Sequence, residues 1–467
     1  MLREARRWVR VPAVCCAALA LGAGAAVAVA SPASADEVRS AQMWVLNAIN
    51  APTAWRATEG RGVVVAVIDS GVDPAVSDLT GSVIAGPDLA GVATSPSNAG
   101  WGVHGTWMAS LISGHGHAAG GGSGVMGVAP MSKVLSIRVV TDKTDPGYNQ
   151  YQQESDSRVQ RSLASAISYA TAHGASVISM SLGYGSPSAV VRSALQKALG
   201  HGVVVVASSG NSGDSVGART SGQAPYSFPA DYPGVLGVAA VSQSGAAADF
   251  SSDNLSVQVG APGVDVPAQG RDGQYWLVSG TSPACALTAG VAALIKARYP
   301  HLAPALVVRA ITSSTQNRPV RGYDDKVGFG TVDAAAAMTA AATLAAEPGG
   351  QPAAAATRYF GGGSAAVSPV PVRPRSVAGL AVSSLLALIS LTIAVMAWTR
   401  LIVQRRARRR AVRGALAQTH AAAWPGRSQQ DRGPGVPLQD LPLANTAGWP
   451  ADSADHGLDQ PWMDAGQ

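Results

Sequence analysis

The sequence predicts an α/β protein: a mainly parallel central sheet between layers of helices, followed by one C-terminal transmembrane helix. Three observations carry this expectation. Residues 63–68, 133–140, 175–180, 203–207 and 235–241 are Val- and Ile-rich runs without polar alternation, as strands covered on both faces require. Helical stretches at 106–113, 158–173, 188–201 and 282–299 fall between or after them, the spacing of an open sheet with helices on both sides. Finally, 377–398 is uncharged and mostly apolar, long enough to cross a ~30 Å hydrocarbon core as a helix.

In chain order, the first segment reads as an export signal. Arg3, Arg6, Arg7 and Arg10 form a basic start, and 11–30 carries no charge. Ala33-Ser34-Ala35 then offers small residues for cleavage before Asp36, giving a signal over 1–35. The apolar run is long for a signal and also fits an uncleaved anchor; the small-residue site favours cleavage. Cys15 and Cys16 would leave with it, so Cys285 stays alone and no internal disulfide can form. A lone thiol in an exported protein reads as a small buried hydrophobe. The net charge of +6 does not indicate nucleic acid, because much of the arginine sits in two clusters flanking hydrophobic runs.

A catalytic domain is expected over 36–346, then a Pro-, Gly- and Ala-rich stalk over 347–376, a span over 377–399, and a basic, disordered tail over 400–467. Seven arginines between Arg400 and Arg413 follow the span, against Arg373 and Arg375 before it. By the positive-inside rule the tail is cytoplasmic and the large domain lies outside the plasma membrane. A buried soluble helix would not explain that arginine cluster.

The chemistry gathers at strand ends. Asp69 closes the run 63–68, His104 opens the segment His104-Gly105-Thr106, and Ser282 starts a helix of small residues with Pro283 in its first turn. Alone, each has a plainer reading as a turn or capping residue. Together they supply a hydroxyl to attack, an imidazole to take its proton and a carboxylate to orient the imidazole. Asn211 follows the strand 203–207 through Ser208-Ser209-Gly210, where its amide could donate to an oxyanion beside the Ser282 N–H. Gly-Asn is equally a good turn dipeptide. His115-Gly116-His117 lies in a glycine-rich loop without a carboxylate or cysteine partner, so a flexible loop is expected there. Asp73, Asp78 and Asp88 could be calcium ligands, but their spacing matches no known loop. No metal site and no cofactor are assigned.

The order Asp69, His104, Ser282, with Gly210-Asn211 between, resembles the subtilisin-like serine peptidases over about residues 42–340. The resemblance implies a three-layer subtilisin-like fold and endopeptidase activity on a polypeptide bound as an extended strand. Ser181, Leu182 and Gly183 look like the edge segment that pairs with substrate. Ser208, Ser209 and Gly210 look like the wall of the pocket for the residue before the cut. The signal, stalk, single span and basic tail resemble the mycosins, membrane-anchored subtilases of actinobacterial type VII secretion systems. About thirty residues separate Asp36 from Asp69, too few for an independently folded pro-domain. That outline implies membrane subunits of the secretion machine as partners. A rival expectation is a subtilase-fold scaffold whose catalysis is dispensable.

Overall fold

The computed structural model describes residues 6–7, 35–117, 121–347, 390–392, 394–401 and 403–404. Seven strands, all parallel, form the central sheet. They are β2 (Val64–Asp69), β3 (Val83–Asp88), β6 (Lys133–Arg138), β7 (Val177–Met180), β8 (Val204–Ser208), β9 (Val235–Val241) and β10 (Val257–Pro262), in the order β10-β9-β8-β7-β2-β6-β3. The five central strands are those the apolar runs foretold. The two edges were not foreseen. β3 is largely exposed and carries Gly86 and Pro87; β10 ends on Pro262. Proline cannot donate to a ladder and is confined to such positions.

Alternate residues of each strand feed two separate cores. Val65, Val67, Val134, Val177, Val204 and Val206 face one side, with α3 (Val103–Ser113) and α8 (Thr281–Arg298). Ala66, Ile68, Leu135, Ile178, Val205 and Ala207 face the other, with α5 (Asp156–Ala172) and α6 (Ala189–Gly200). This is the expected three-layer arrangement. Continuous Val/Ile runs are needed because both faces of the sheet are dry.

The first layer also holds α1 (Ala35–Ala48), α2 (Ala51–Ala54), α9 (Pro304–Ser313) and α10 (Ala334–Ala346), none of them anticipated. Val38, Val45, Leu46 and Ile49 bury the inner face of the N-terminal segment completely. Two shorter helices are α4 (Tyr148–Gln152) and α7 (Val216–Ser221). Two antiparallel ribbons sit beside the sheet: β4 (His115–His117) with β5 (Ser123–Met126), and β11 (Val266–Gln269) with β12 (Tyr275–Val278). β1 (Arg6–Arg7) adds antiparallel to β12.

The glycine-rich stretch around His115 is therefore partly ordered, which corrects the flexible-loop expectation. His117 Nδ1 meets Asp78 Oδ1 at 2.6 Å, and His115 Nε2 meets the Thr80 carbonyl at 3.0 Å. Residues 118–120 lie outside the described residues. The chain divides into two units, Met1–Gly362 with Leu458–Gln467, and Gly363–Gly457. Of the expected span, 377–389 and 393 lie outside the described residues, while 390–392 and 394–399 are helical. Among the described residues no helix is long and apolar enough to cross a membrane. Most of the expected signal, stalk and tail also falls outside them.

Candidate active site

Ligands of open parallel sheets bind beyond the carboxyl ends of the strands, and the expected site residues Asp69, Ser181 and Asn211 are among those that lie there. Asp69 is the last residue of β2 and is 1 % exposed. Its Oδ1 accepts hydrogen bonds from the Ser70 N–H (2.6 Å) and pairs with His104 Nδ1 (2.8 Å). His104 is the second residue of α3. Gly105 lets that helix come close enough: a Cβ there would lie 2.1 Å from the Gly71 carbonyl oxygen and 3.3 Å from Asp69 Cβ. With Nδ1 held by a carboxylate, Nε2 is left free for proton transfer, the arrangement a general base needs.

The pair is electrostatically poised. Burial works against a charged His104 ring, but the charge and hydrogen bond of Asp69, with a smaller contribution from Asp142, outweigh it and raise the pKa to about 8. The ring keeps 23 % of its side-chain exposure, so its desolvation is incomplete. Asp69 Oδ2 is buried and has no hydrogen-bond partner.

Asp142 had no motif to reveal it; the available signal was an acidic residue just past the end of β6. It accepts the Val103 N–H at 2.8 Å and the His104 N–H at 3.3 Å. Ser70 Oγ donates to it as well and accepts the Gly105 N–H at 3.0 Å. Two side chains thus satisfy the first three backbone donors of α3, groups that a helix cannot satisfy internally. Burial and the Asp69 charge push Asp142 up to about 6, against the pull of His104 and these hydrogen bonds.

Ser282 is the second residue of α8. Its hydroxyl donates to the Ser181 carbonyl at 3.3 Å, and Ser181 Oγ donates to the Ser282 carbonyl at 3.0 Å. Among the described residues no hydrogen bond joins Ser282 to His104. The structure therefore brings Asp69 to His104 and Ser282 to Ser181, but it leaves the serine–imidazole bond unmade. Such bonds often tighten only with substrate in place. Helices α3 and α8 pack together, and α8 also packs on β2 and β7. Cys285, one turn past Ser282, is fully buried and feels the Asp69 charge; burial raises its thiol to about 11, so it is not a rival nucleophile.

Asn211 is held by its carbonyl end. Asn211 Oδ1 accepts the Thr281 N–H (2.9 Å) and the Thr281 hydroxyl (3.0 Å), which leaves Nδ2 to face the site. A Cβ placed on Gly280 would lie 3.4 Å from Asn211 Nδ2 and 3.7 Å from the Ser282 nitrogen, so two donors border one small space. Gly280, at φ 155°, adopts a conformation that essentially only glycine takes.

Of the expected substrate-binding residues, Ser181 bonds to Ser282 and Gly210 to Thr281. Leu182 is buried, and Tyr184 pairs antiparallel with Phe228 just beyond Gly183. Ser208 and Ser209 are buried; Ser209 Oγ has no partner, while its N–H bonds to Val238. Gly210 donates its N–H to Thr281 Oγ1 at 3.2 Å. Ser227, not singled out in the sequence, lies against both Gly183 and Gly210. Its Oγ is 2.1 Å from where a Cβ on Gly183 would stand, and its own Cβ is 3.5 Å from the equivalent point on Gly210. The calcium candidates are engaged elsewhere: Asp78 with His117, Val125 and Tyr275, Asp88 with Arg138, and Asp73 with the Ala75 N–H.

Fold and site define an α/β protein of the hydrolase kind, with a strand-end carboxylate, a helix-start imidazole and a helix-start serine. Residues 60–330 match the family model described as Peptidase_S8: Subtilase family, and the chain belongs to that family. Fervidolysin of Fervidobacterium pennivorans is 33% identical over 65% of this chain and 44% of its own length. Subtilisin DY of Bacillus licheniformis is 34% identical over 60% of this chain and 92% of its own. The chain thus spans less than half of one curated relative and nearly all of the other. Among solved structures, MycP1 from Mycobacterium smegmatis has a TM-score of 0.51 at 28% identity, covering 63% of this chain and 84% of that one. The MycP3 protease from the type VII (ESX-3) secretion system has a TM-score of 0.52 at 27% identity, covering 63% and 87%. These homologues and neighbours are subtilisin-family peptidases, mycosins among them.

Proposed function

We propose that this protein is a membrane-tethered serine endopeptidase acting outside the plasma membrane, with Asp69, His104 and Ser282 as its triad. The 2.8 Å contact between Asp69 and His104 Nδ1 carries the reading, because it fixes the imidazole as a base. With substrate bound, the Ser282 hydroxyl leaves the Ser181 carbonyl and donates to His104 Nε2. Ser282 Oγ then attacks the scissile carbonyl while His104 takes its proton. Asn211 Nδ2 and the Ser282 N–H stabilise the oxyanion, and His104 returns the proton to the leaving amine. Water then repeats the sequence on the acyl-enzyme. Substrate lies as an added strand along Ser181, Leu182 and Gly183, with the residue before the cut between that segment and Ser208, Ser209 and Gly210.

The likeness to MycP1 and MycP3 supports a place in a type VII secretion machine, and its membrane subunits are the proposed partners. The arginine-flanked apolar stretch 377–398 supports the tether and puts the tail in the cytoplasm. One observation favours the alternative of a scaffold with dispensable catalysis: Ser282 bonds to Ser181 and not to His104. A fluorophosphonate probe decides between them. The full chain should be labelled and Ser282→Ala should not; a well-folded wild type that stays unlabelled would establish the scaffold.

A further inference from the structure

We propose that Asp142 is a positioning residue for His104. Its carboxylate caps the first turn of α3, holds the imidazole on Asp69, and favours the imidazolium by its charge. The inference rests on the triad reading above.

The argument is geometric. Asp142 binds the backbone N–H of His104 itself and of Val103 before it, and shares Ser70 with the Gly105 N–H. The imidazole is therefore fixed from two sides, Asp69 on its ring and Asp142 on its backbone. A helix N-terminus favours the ionised carboxylate, and a negative charge this near favours protonated His104.

The other charged groups around the pair are spent elsewhere. Arg138 on β6 binds Asp88 and Asp145. Arg271 donates to the Trp101 and Pro96 carbonyls. Asp73 accepts the Ala75 N–H, and its own N–H bonds to Thr106 Oγ1. Lys143 follows Asp142 in the chain and is part-buried. The buried run 281–295 of α8 carries no charged side chain. His104 and Asp142 thus titrate as one coupled pair.

The experiment measures the rate of fluorophosphonate inactivation of the full chain from about pH 4.5 to 9, with folding checked by melting curves. In the wild type the logarithm of the rate falls with unit slope below about pH 8 and flattens near pH 6, where protonation of Asp142 removes a charge that favours the imidazolium, before falling again. Asp142→Asn should lower the limb by about one pH unit and abolish the flattening. Asp142→Glu, which keeps the charge, should restore both. A limb in Asp142→Asn that overlays the wild type would overturn the proposal, as would a wild-type limb of unit slope throughout. That second result decides the matter even where Asp142→Asn does not fold. If the wild type is not labelled at all, the triad reading itself has failed and this proposal falls with it. Labelling that needs Ser282 but ignores Asp142 removes this proposal alone.

Discussion

Substitutions at Asn211 can separate two tasks performed by one amide group. Its oxygen anchors Thr281 through two hydrogen bonds, at 2.9 and 3.0 Å, while its nitrogen is left to donate into the site. Thr281 is 1 % exposed, so an unpaired Thr281 N–H costs about 1–3 kcal/mol. Asn211→Leu removes both functions: it should lose that stability and also turnover. Asn211→Asp keeps the acceptor but not the donor, so it should lose turnover with a smaller change in stability. For the matching donor in subtilisin itself the loss is about 10²–10³ in kcat, and that figure is carried over to this relative. Steady-state kinetics on a peptide ester would follow kcat and KM, with urea titration for stability. A kcat for Asn211→Asp within threefold of wild type would refute an oxyanion role, and equal stability losses in both variants would refute the anchoring.

Three further outcomes follow from the same geometry. His104 is raised from its ordinary 6.5 to about 8, so the folded state binds its proton more tightly than the unfolded chain. That stabilisation, of order 2 kcal/mol, is complete below about pH 6.5 and disappears as pH rises through about 8; urea midpoints independent of pH across this window would contradict it. Arg138 is 1 % exposed and joins Asp88 at 2.6 Å and buried Asp145 at 2.8 Å. Arg138→Ala should therefore cost about 3–5 kcal/mol by leaving an uncompensated buried charge, and a loss under about 1 kcal/mol would show that the site relaxes. Ser227→Gly empties the space between Gly183 and Gly210, so cleavage profiling of a peptide library should move toward larger residues before the cut. An unchanged profile would remove Ser227 from the pocket.

Legibility in the sequence followed dryness. The five central strands were plain because both faces of the sheet are buried, which demands unbroken Val and Ile. Edge strands β3 and β10 escaped notice because exposure and proline broke that pattern. The alanine-rich helix α10 offers little contrast between its faces, so periodicity had nothing to register. Asp69, His104 and Ser282 could be picked out because each follows a strand or opens a helix with small neighbours. Asp142 could not, since only folding carries it from the end of β6 to the first turn of α3. The direction of the Ser282 hydroxyl is a matter of a single torsion, and no residue pattern encodes it.

The most direct measurement is a crystal structure of the protein after reaction with a fluorophosphonate. Phosphorus should be bonded to Ser282 Oγ, with one phosphoryl oxygen about 2.7–3.1 Å from both Asn211 Nδ2 and the Ser282 nitrogen, and His104 Nε2 turned toward the adduct. An adduct on any other residue, or a Ser282 adduct whose oxygen points away from Asn211, would contradict the mechanism at its centre.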